Sequence, residues 1–211
     1  MTASHVDVPG ARLLVVDEGA GPAIILLHAG IADHRAWDEL VPRLTSAGYR
    51  VVRYDTRGFG RSTTEDVEFS HRADLLAVMD SLGIGRAALV GNSRGGMIAF
   101  DTAIGSPARV VAVVGVGSGL GGFDGGSTPD ELAMFDEQER IDAAEPFDAA
   151  ALTDFEVRMW VDGPGQSPDR VAPAIRDAVY AMNLPLNERG RVGGRAIALD
   201  PPATDRLAEL R

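Results

Sequence analysis

The strongest constraint on the fold is a repeated pattern: short apolar runs alternate with stretches of helical periodicity through the first half of the chain. Residues 24–28, 50–55, 87–91 and 110–116 read as strands. They are apolar nearly throughout, where a strand with one wet face would alternate, and this suits strands covered on both faces in a parallel sheet. Between them the spacing predicts helices over 36–47, 70–82 and 94–104. The first places Trp37, Leu40, Val41 and Leu44 on one face and has Gly48 just past its end. Residues 5–8 and 11–17 flank Pro9-Gly10 and predict a hairpin. Strand–helix–strand repetition implies an α/β fold: a mostly parallel sheet with an N-terminal β-hairpin, helices on both faces and right-handed crossovers.

The second half changes character. Residues 115–126 are glycine-rich, and helical signals dominate after them. Thr128-Pro129-Asp130-Glu131 is a helix start, with a threonine cap, proline at the first helical position and glutamate at the third. Further helices are expected over 147–161, after Ser167-Pro168 and over 202–210, with one short strand near 196–199. The expected organisation is a core over 1–122, a helical segment over 123–200 and the start of a return to the core over 201–211.

Composition removes whole classes of function. The 31 acidic and 20 basic residues give a net charge of −11, so nothing draws the chain to nucleic acid or an anionic membrane. Every basic residue is arginine, which excludes a lysine Schiff base or phosphate-loop lysine. The absence of cysteine excludes a thiolate nucleophile or thiolate metal site and fits a reducing cytoplasm. Residues 1–10 have no apolar signal-peptide region, and the longest uncharged stretch, 110–123, is short of the roughly 20 residues that span a bilayer.

The chemistry-bearing motif is Gly91-Asn92-Ser93-Arg94-Gly95, followed by Gly96. As a bare G-x-S-x-G string it could be a glycine-rich turn that packs a helix on a strand. Its context is specific, since it follows an apolar strand and opens a helix. A sharp strand-to-helix turn lifts the serine oxygen above the sheet, and the helix N-terminus offers free N–H groups to a developing oxyanion.

Three segments in order resemble the α/β-hydrolase family, particularly its cap-bearing branch of esterases and 3-oxoadipate enol-lactonase-like enzymes. They are Leu26-Leu27-His28-Ala29-Gly30-Ile31, the loop from Tyr54-Asp55-Thr56-Arg57-Gly58 to Ser62, and the turn at Ser93. The resemblance covers residues 5 to about 120 and implies Ser93 as nucleophile. It implies the Arg94 amide as one oxyanion donor and the amide of Gly30 or Ile31 as the other. Asp55 and Arg57 would brace their loop, and residues 123–200 would form a helical cap. A serine at the turn argues against the epoxide hydrolase and haloalkane dehalogenase branches, which carry aspartate there. The implied reaction is hydrolysis of a small-molecule carboxylic ester, thioester or lactone through a Ser93 acyl-enzyme, with no cofactor and no metal.

The family order is serine, acid, then histidine, yet the four histidines are His5, His28, His34 and His71. His28 is expected to brace its loop rather than serve as a recruited base, His34 to line the pocket mouth, and Asp124 is a candidate acid. Strand 110–116 looks interior but has nothing to cover its far side. About two strand–helix units of the fold would therefore be missing, leaving an exposed edge that favours self-association. Little esterase turnover is expected. The alternative is an inactive hydrolase-like binding protein, or a fragment completed by a partner chain. Gly117-Ser118-Gly119-Leu120-Gly121-Gly122 matches a dinucleotide fingerprint after a strand, but no helix opens there to hold a pyrophosphate. No His/Asp metal-ligand cluster stands out from the spacing.

Overall fold

β1 (Thr2–Val8) turns at Pro9-Gly10 into antiparallel β2 (Ala11–Gly19), with Gly10 at φ 71°. β3 (Ala23–Leu27) and β4 (Arg50–Tyr54) follow, then the two-residue β5 (Glu68–Phe69). β6 (Ala87–Asn92), β7 (Val110–Val116) and β8 (Arg195–Ala196) complete the strands. The computed structural model describes residues 1–190 and 193–210; Arg191, Val192 and Arg211 lie outside the described residues. The main sheet has the order β1-β2-β4-β3-β6-β7. β2 pairs antiparallel with β4, and the steps β4-β3-β6-β7 are all parallel.

β3 and β4 are buried on both faces, as their unbroken apolar runs require. Ile25 and Leu27 point to a core shared with Leu75, Val78 and Met79 of α2 (His71–Ser81) and with Ile98 and Ala99 of α3 (Arg94–Gly105). Ile24 and Leu26 point the other way, to Val51 and to Val41 of α1 (Val41–Ser46). Each such buried side chain contributes roughly 1.5–3 kcal/mol of transfer free energy. The helix expected over 36–47 is instead a 3₁₀ turn (His34–Trp37) and the short α1. Pro42 explains the break: within one continuous helix its ring would strike the carbonyl of residue 38, whereas near a helix start it is tolerated.

The chain divides into two units, Met1–Phe123 with Val192–Arg211, and Asp124–Arg191. The return to the first unit therefore begins earlier than the boundary at 200 read from the sequence. β8 causes this by pairing parallel with β5, Glu68 opposite Arg195 and Phe69 opposite Ala196. Thr204 N–H then donates to Gly121 O at 3.1 Å. In the second unit, α4 (Pro129–Asp142) carries the expected capping box: Glu131 N–H donates to Thr128 Oγ1 and Thr128 N–H to Glu131 Oε2. α5 (Ala149–Val157) runs into a π-helical turn (Arg158–Asp162), and α6 (Pro173–Glu188) follows. Leu152, Phe155 and Met159 form its core with Met134 and Ile141. Among the described residues no helix is long and apolar enough to cross a membrane.

β7 ends the sheet. Val111, Val114 and Val116 are 56%, 51% and 47% exposed, although the sequence gives them the character of an interior strand. A bare apolar edge templates pairing with another chain. The 211-residue chain is expected to show concentration-dependent association in sedimentation velocity, reduced by Val114→Lys. Equal association of the two proteins would remove the edge from the explanation.

Candidate active site

One residue separates β6 from α3, and it is Ser93, at φ 51° and ψ −118°. It is the only non-glycine residue with positive φ among the described residues. A side chain held there costs on the order of 1–3 kcal/mol, a strain that concentrates at functional positions. The flanking glycines are sterically required. A Cβ on Gly91 would strike the Gly95 backbone, one on Gly95 the carbonyls of Leu27 and His28, and one on Gly96 the Ser118 side chain. Ser93 N–H donates to Val116 O at 2.9 Å, fixing the turn to the end of β7. Its side chain is exposed, and Oγ makes no hydrogen bond to a described residue.

Gly96 and Met97 N–H donate to Ser93 O at 2.9 and 3.2 Å, so the first helical amide, Arg94 N–H, has no partner among the described residues. Leu27 pairs with Gly91, which sets the loop after β3 beside this turn. That loop closes with Ala32 N–H on Ala29 O at 3.3 Å, and the amides of Gly30 and Ile31 also lack partners among the described residues. A Cβ on Gly30 would meet open space, so glycine there is not a steric necessity as it is at Gly91, Gly95 and Gly96. His28, Ala29, Ala36, Trp37, Asn92 and Val116 line a cleft of about 240 Å³ beside the turn.

His28 is fully buried beneath this loop. Its Nδ1 donates to Ala29 O at 2.7 Å, and its Nε2 accepts from Thr56 N–H at 3.0 Å. Both ring nitrogens are thus committed, leaving no lone pair for Ser93. Burial, and then the Arg94 charge, push its pKa down to about 4, so the ring is neutral. Asp124 is exposed at the start of the second unit and has no partner among the described residues that would orient a base. His5 pairs with Leu14 on the hairpin, and His71 packs edge-on against Phe69 at 5.0 Å.

His34 sits at the mouth of the loop, but as part of a brace. Its Nδ1 donates to Asp55 Oδ1 at 2.7 Å and its backbone N–H to the same oxygen at 2.8 Å. Asp55 Oδ2 accepts Arg61 N–H at 2.8 Å. Burial raises the Asp55 pKa, yet these hydrogen bonds outweigh it and hold the carboxylate below its ordinary range. Asp33, His34 and Asp55 place potential metal-ligand atoms within 4.8 Å of one another, a grouping that the sequence spacing did not reveal. Much of their acceptor capacity is already used: Asp33 binds the Arg35 side chain through both oxygens, and Asp55 accepts two hydrogen bonds from His34 and one from the Arg61 amide. The cluster fits a loop brace better than a cation site.

Sequence reasoning missed the side chain of Arg94. Its Nη2 donates to Thr56 Oγ1 at 2.5 Å, and its guanidinium carbon lies 3.9 Å from the centre of the Phe59 ring. No residue spacing signals which way that side chain turns.

A left-handed serine between β6 and α3, with unpaired amides on two adjoining loops, is the arrangement that the α/β-hydrolase resemblance implies. The model of the alpha/beta hydrolase fold family matches residues 22–162, and the chain belongs to that family. It is 30% identical over 181 residues to an epoxide hydrolase of Caballeronia sordidicola, covering 79% of this chain and 55% of that protein. It is 42% identical over 115 residues to a 2-hydroxy-6-oxononadienedioate/2-hydroxy-6-oxononatrienedioate hydrolase of Burkholderia vietnamiensis, covering 50% of this chain and 40% of that one. A solved hydrolase structure from Pseudomonas aeruginosa shares the fold, with a TM-score of 0.67 at 24% identity, covering 86% of this chain and 66% of that one. The chain thus spans about half the length of the Caballeronia relative.

Proposed function

We propose that this chain carries the nucleophile and oxyanion site of a serine hydrolase that acts on a carboxylic ester, thioester or lactone. The observation that carries the reading is Ser93 at positive φ, with the unpaired amides of Arg94 and of Gly30 or Ile31 beside it. Ser93 Oγ bonds to the carbonyl carbon while its proton passes to a base, and the carbonyl oxygen takes up charge among those amides. Collapse breaks the bond to the leaving group, which takes a proton. Water then attacks the acyl-enzyme and releases the acid and Ser93.

The relatives named epoxide hydrolases raise epoxide opening as a rival, and the serine at the turn speaks against it. A carboxylate that opens an epoxide forms an ester, which water cleaves. A serine oxygen would form an ether, which has no acyl carbon for water to attack, and the enzyme would stop after one event. The Burkholderia relative, whose name gives an oxo-acid substrate, fits carbonyl chemistry better.

None of the four histidines follows Ser93 in the chain, and none among the described residues is hydrogen-bonded to its Oγ. A serine without such a base is a weak nucleophile. We therefore expect the 211-residue chain to turn over 4-nitrophenyl acetate slowly, with a Ser93-dependent residue of activity. A fluorophosphonate probe tests the reading: labelling at Ser93, lost in Ser93→Ala, supports an activated serine. No labelling above that of Ser93→Ala would favour the second reading, a binding protein on a hydrolase scaffold.

A further inference from the structure

Three arginines have their side chains drawn into the loops above the sheet, and two of them are neutralised. Arg53 is paired with Glu18 at 2.8 Å and with Asp38. Arg57 holds Asp74 through two hydrogen bonds of 2.6 and 2.8 Å. Arg94 is the exception. Its neighbours are a hydroxyl and an aromatic face, Thr56 and Phe59. No carboxylate lies within ion-pair distance among the described residues, and its Nε is buried without a hydrogen-bond partner. Burial weakens its hold on the proton, lowering its pKa to about 10, yet it remains charged near neutral pH.

A half-buried cation with no counter-ion and one nitrogen shut off from solvent is costly, and in a chain of net charge −11 acidic partners are abundant. One was not supplied at this position. The position follows the nucleophile, among the loops after β3, β4 and β6. A guanidinium held there by uncharged neighbours is preorganised for a planar anion, because a carboxylate would replace lost hydration with charge-assisted hydrogen bonds.

We propose that Arg94 is a specificity-determining residue that recognises a carboxylate, and that the substrate of Ser93 is an acid-bearing ester, thioester or lactone. The inference rests on the reading of Ser93 as nucleophile and adds to it the charge of the substrate. Thr56 and Phe59 fix the guanidinium, and Thr56 also binds His28, so the recognition residue and the oxyanion loop share one support.

The test uses the full 211-residue chain and two probes that differ at one end, a carboxylate in N-methylglutaramic acid and a neutral N-methylamide in the N,N′-dimethyl diamide. Calorimetry is expected to show the acid bound at least about tenfold tighter, the usual advantage of one charge-assisted pair. In Arg94→Gln the ratio should fall to about one, and Arg94→Lys should keep part of it. A ratio near one in the parent protein, or an unchanged ratio in Arg94→Gln, overturns the proposal. Each variant supplies its own neutral reference, so a general loss of binding cannot imitate a loss of selectivity. Fluorophosphonate labelling judges Ser93 separately: labelling without charge preference sinks the Arg94 inference alone, and charge preference without labelling sinks the nucleophile alone.

Discussion

Lowering the pH from 7 to 5 is expected to remove about 2 kcal/mol of stability for each of two histidines, the buried His28 and the half-buried His71. Burial, and then the charge of Arg94, take His28 down to about 4. Burial, and then the charges of Arg94, His28 and Arg57, take His71 down to about 3. An unfolded histidine titrates near 6.5. Below that value the unfolded chain binds protons that the folded chain refuses. The stability from these rings is therefore complete above about 6.5 and drains away until the folded values are reached. Urea denaturation at fixed ionic strength should show the midpoint falling between pH 7 and 5 with little change in slope. His28→Gln and His71→Gln should each remove about one proton from the pH dependence. A midpoint that stays flat over this range would exclude both depressed values.

Asp74→Ala should destabilise the first unit by about 3–5 kcal/mol. Arg57 and Asp74 are both buried and are joined by two hydrogen bonds. Arg57 also lies 4.7 Å from the centre of the Phe69 ring, and its Nη1 has no hydrogen-bond partner among the described residues. Without Asp74 a guanidinium remains desolvated with nothing to balance it. The loss is a large share of the 5–15 kcal/mol that usually separates folded from unfolded chains. Arg57→Met combined with Asp74→Leu should recover most of it, since paired removal leaves no orphan charge. If the double variant is as unstable as Asp74→Ala, packing rather than charge is the cause.

The sequence made the centre of the sheet legible because residues such as Ile24 to Leu27, packed on both faces, are apolar in succession, and the run is short enough for a strand. The turn at Ser93 was equally legible, since close backbone approaches at 91 and 95 and the Ser118 side chain at 96 favour glycine at all three. Thr128 and Glu131 announced α4 through a cap that is wholly local. Less was visible where the determinant was distant. β5 and β8 are two-residue strands that join positions 68 and 195, and nothing in their composition marks the pairing. The metal-like grouping of Asp33, His34 and Asp55 exists only because the loop after β3 folds over the end of β4. The direction of the Arg94 side chain is set by Thr56 and Phe59, some 35 positions away in a loop whose path is a tertiary fact.

The order in which the strands are synthesised bears on how the molecule is made. Every strand of the six-stranded sheet lies before residue 117, and the chain then runs on through a separate helical unit before β8 returns. On a ribosome that adds about 5–20 residues per second, residues 117–211 take roughly 5–20 seconds to synthesise. A complete sheet can form within that interval while β5 still waits for its partner. The unpaired apolar edge of β7 is thus already on display while the helical unit is still being made, and neighbouring ribosomes on one message would bring several such edges together.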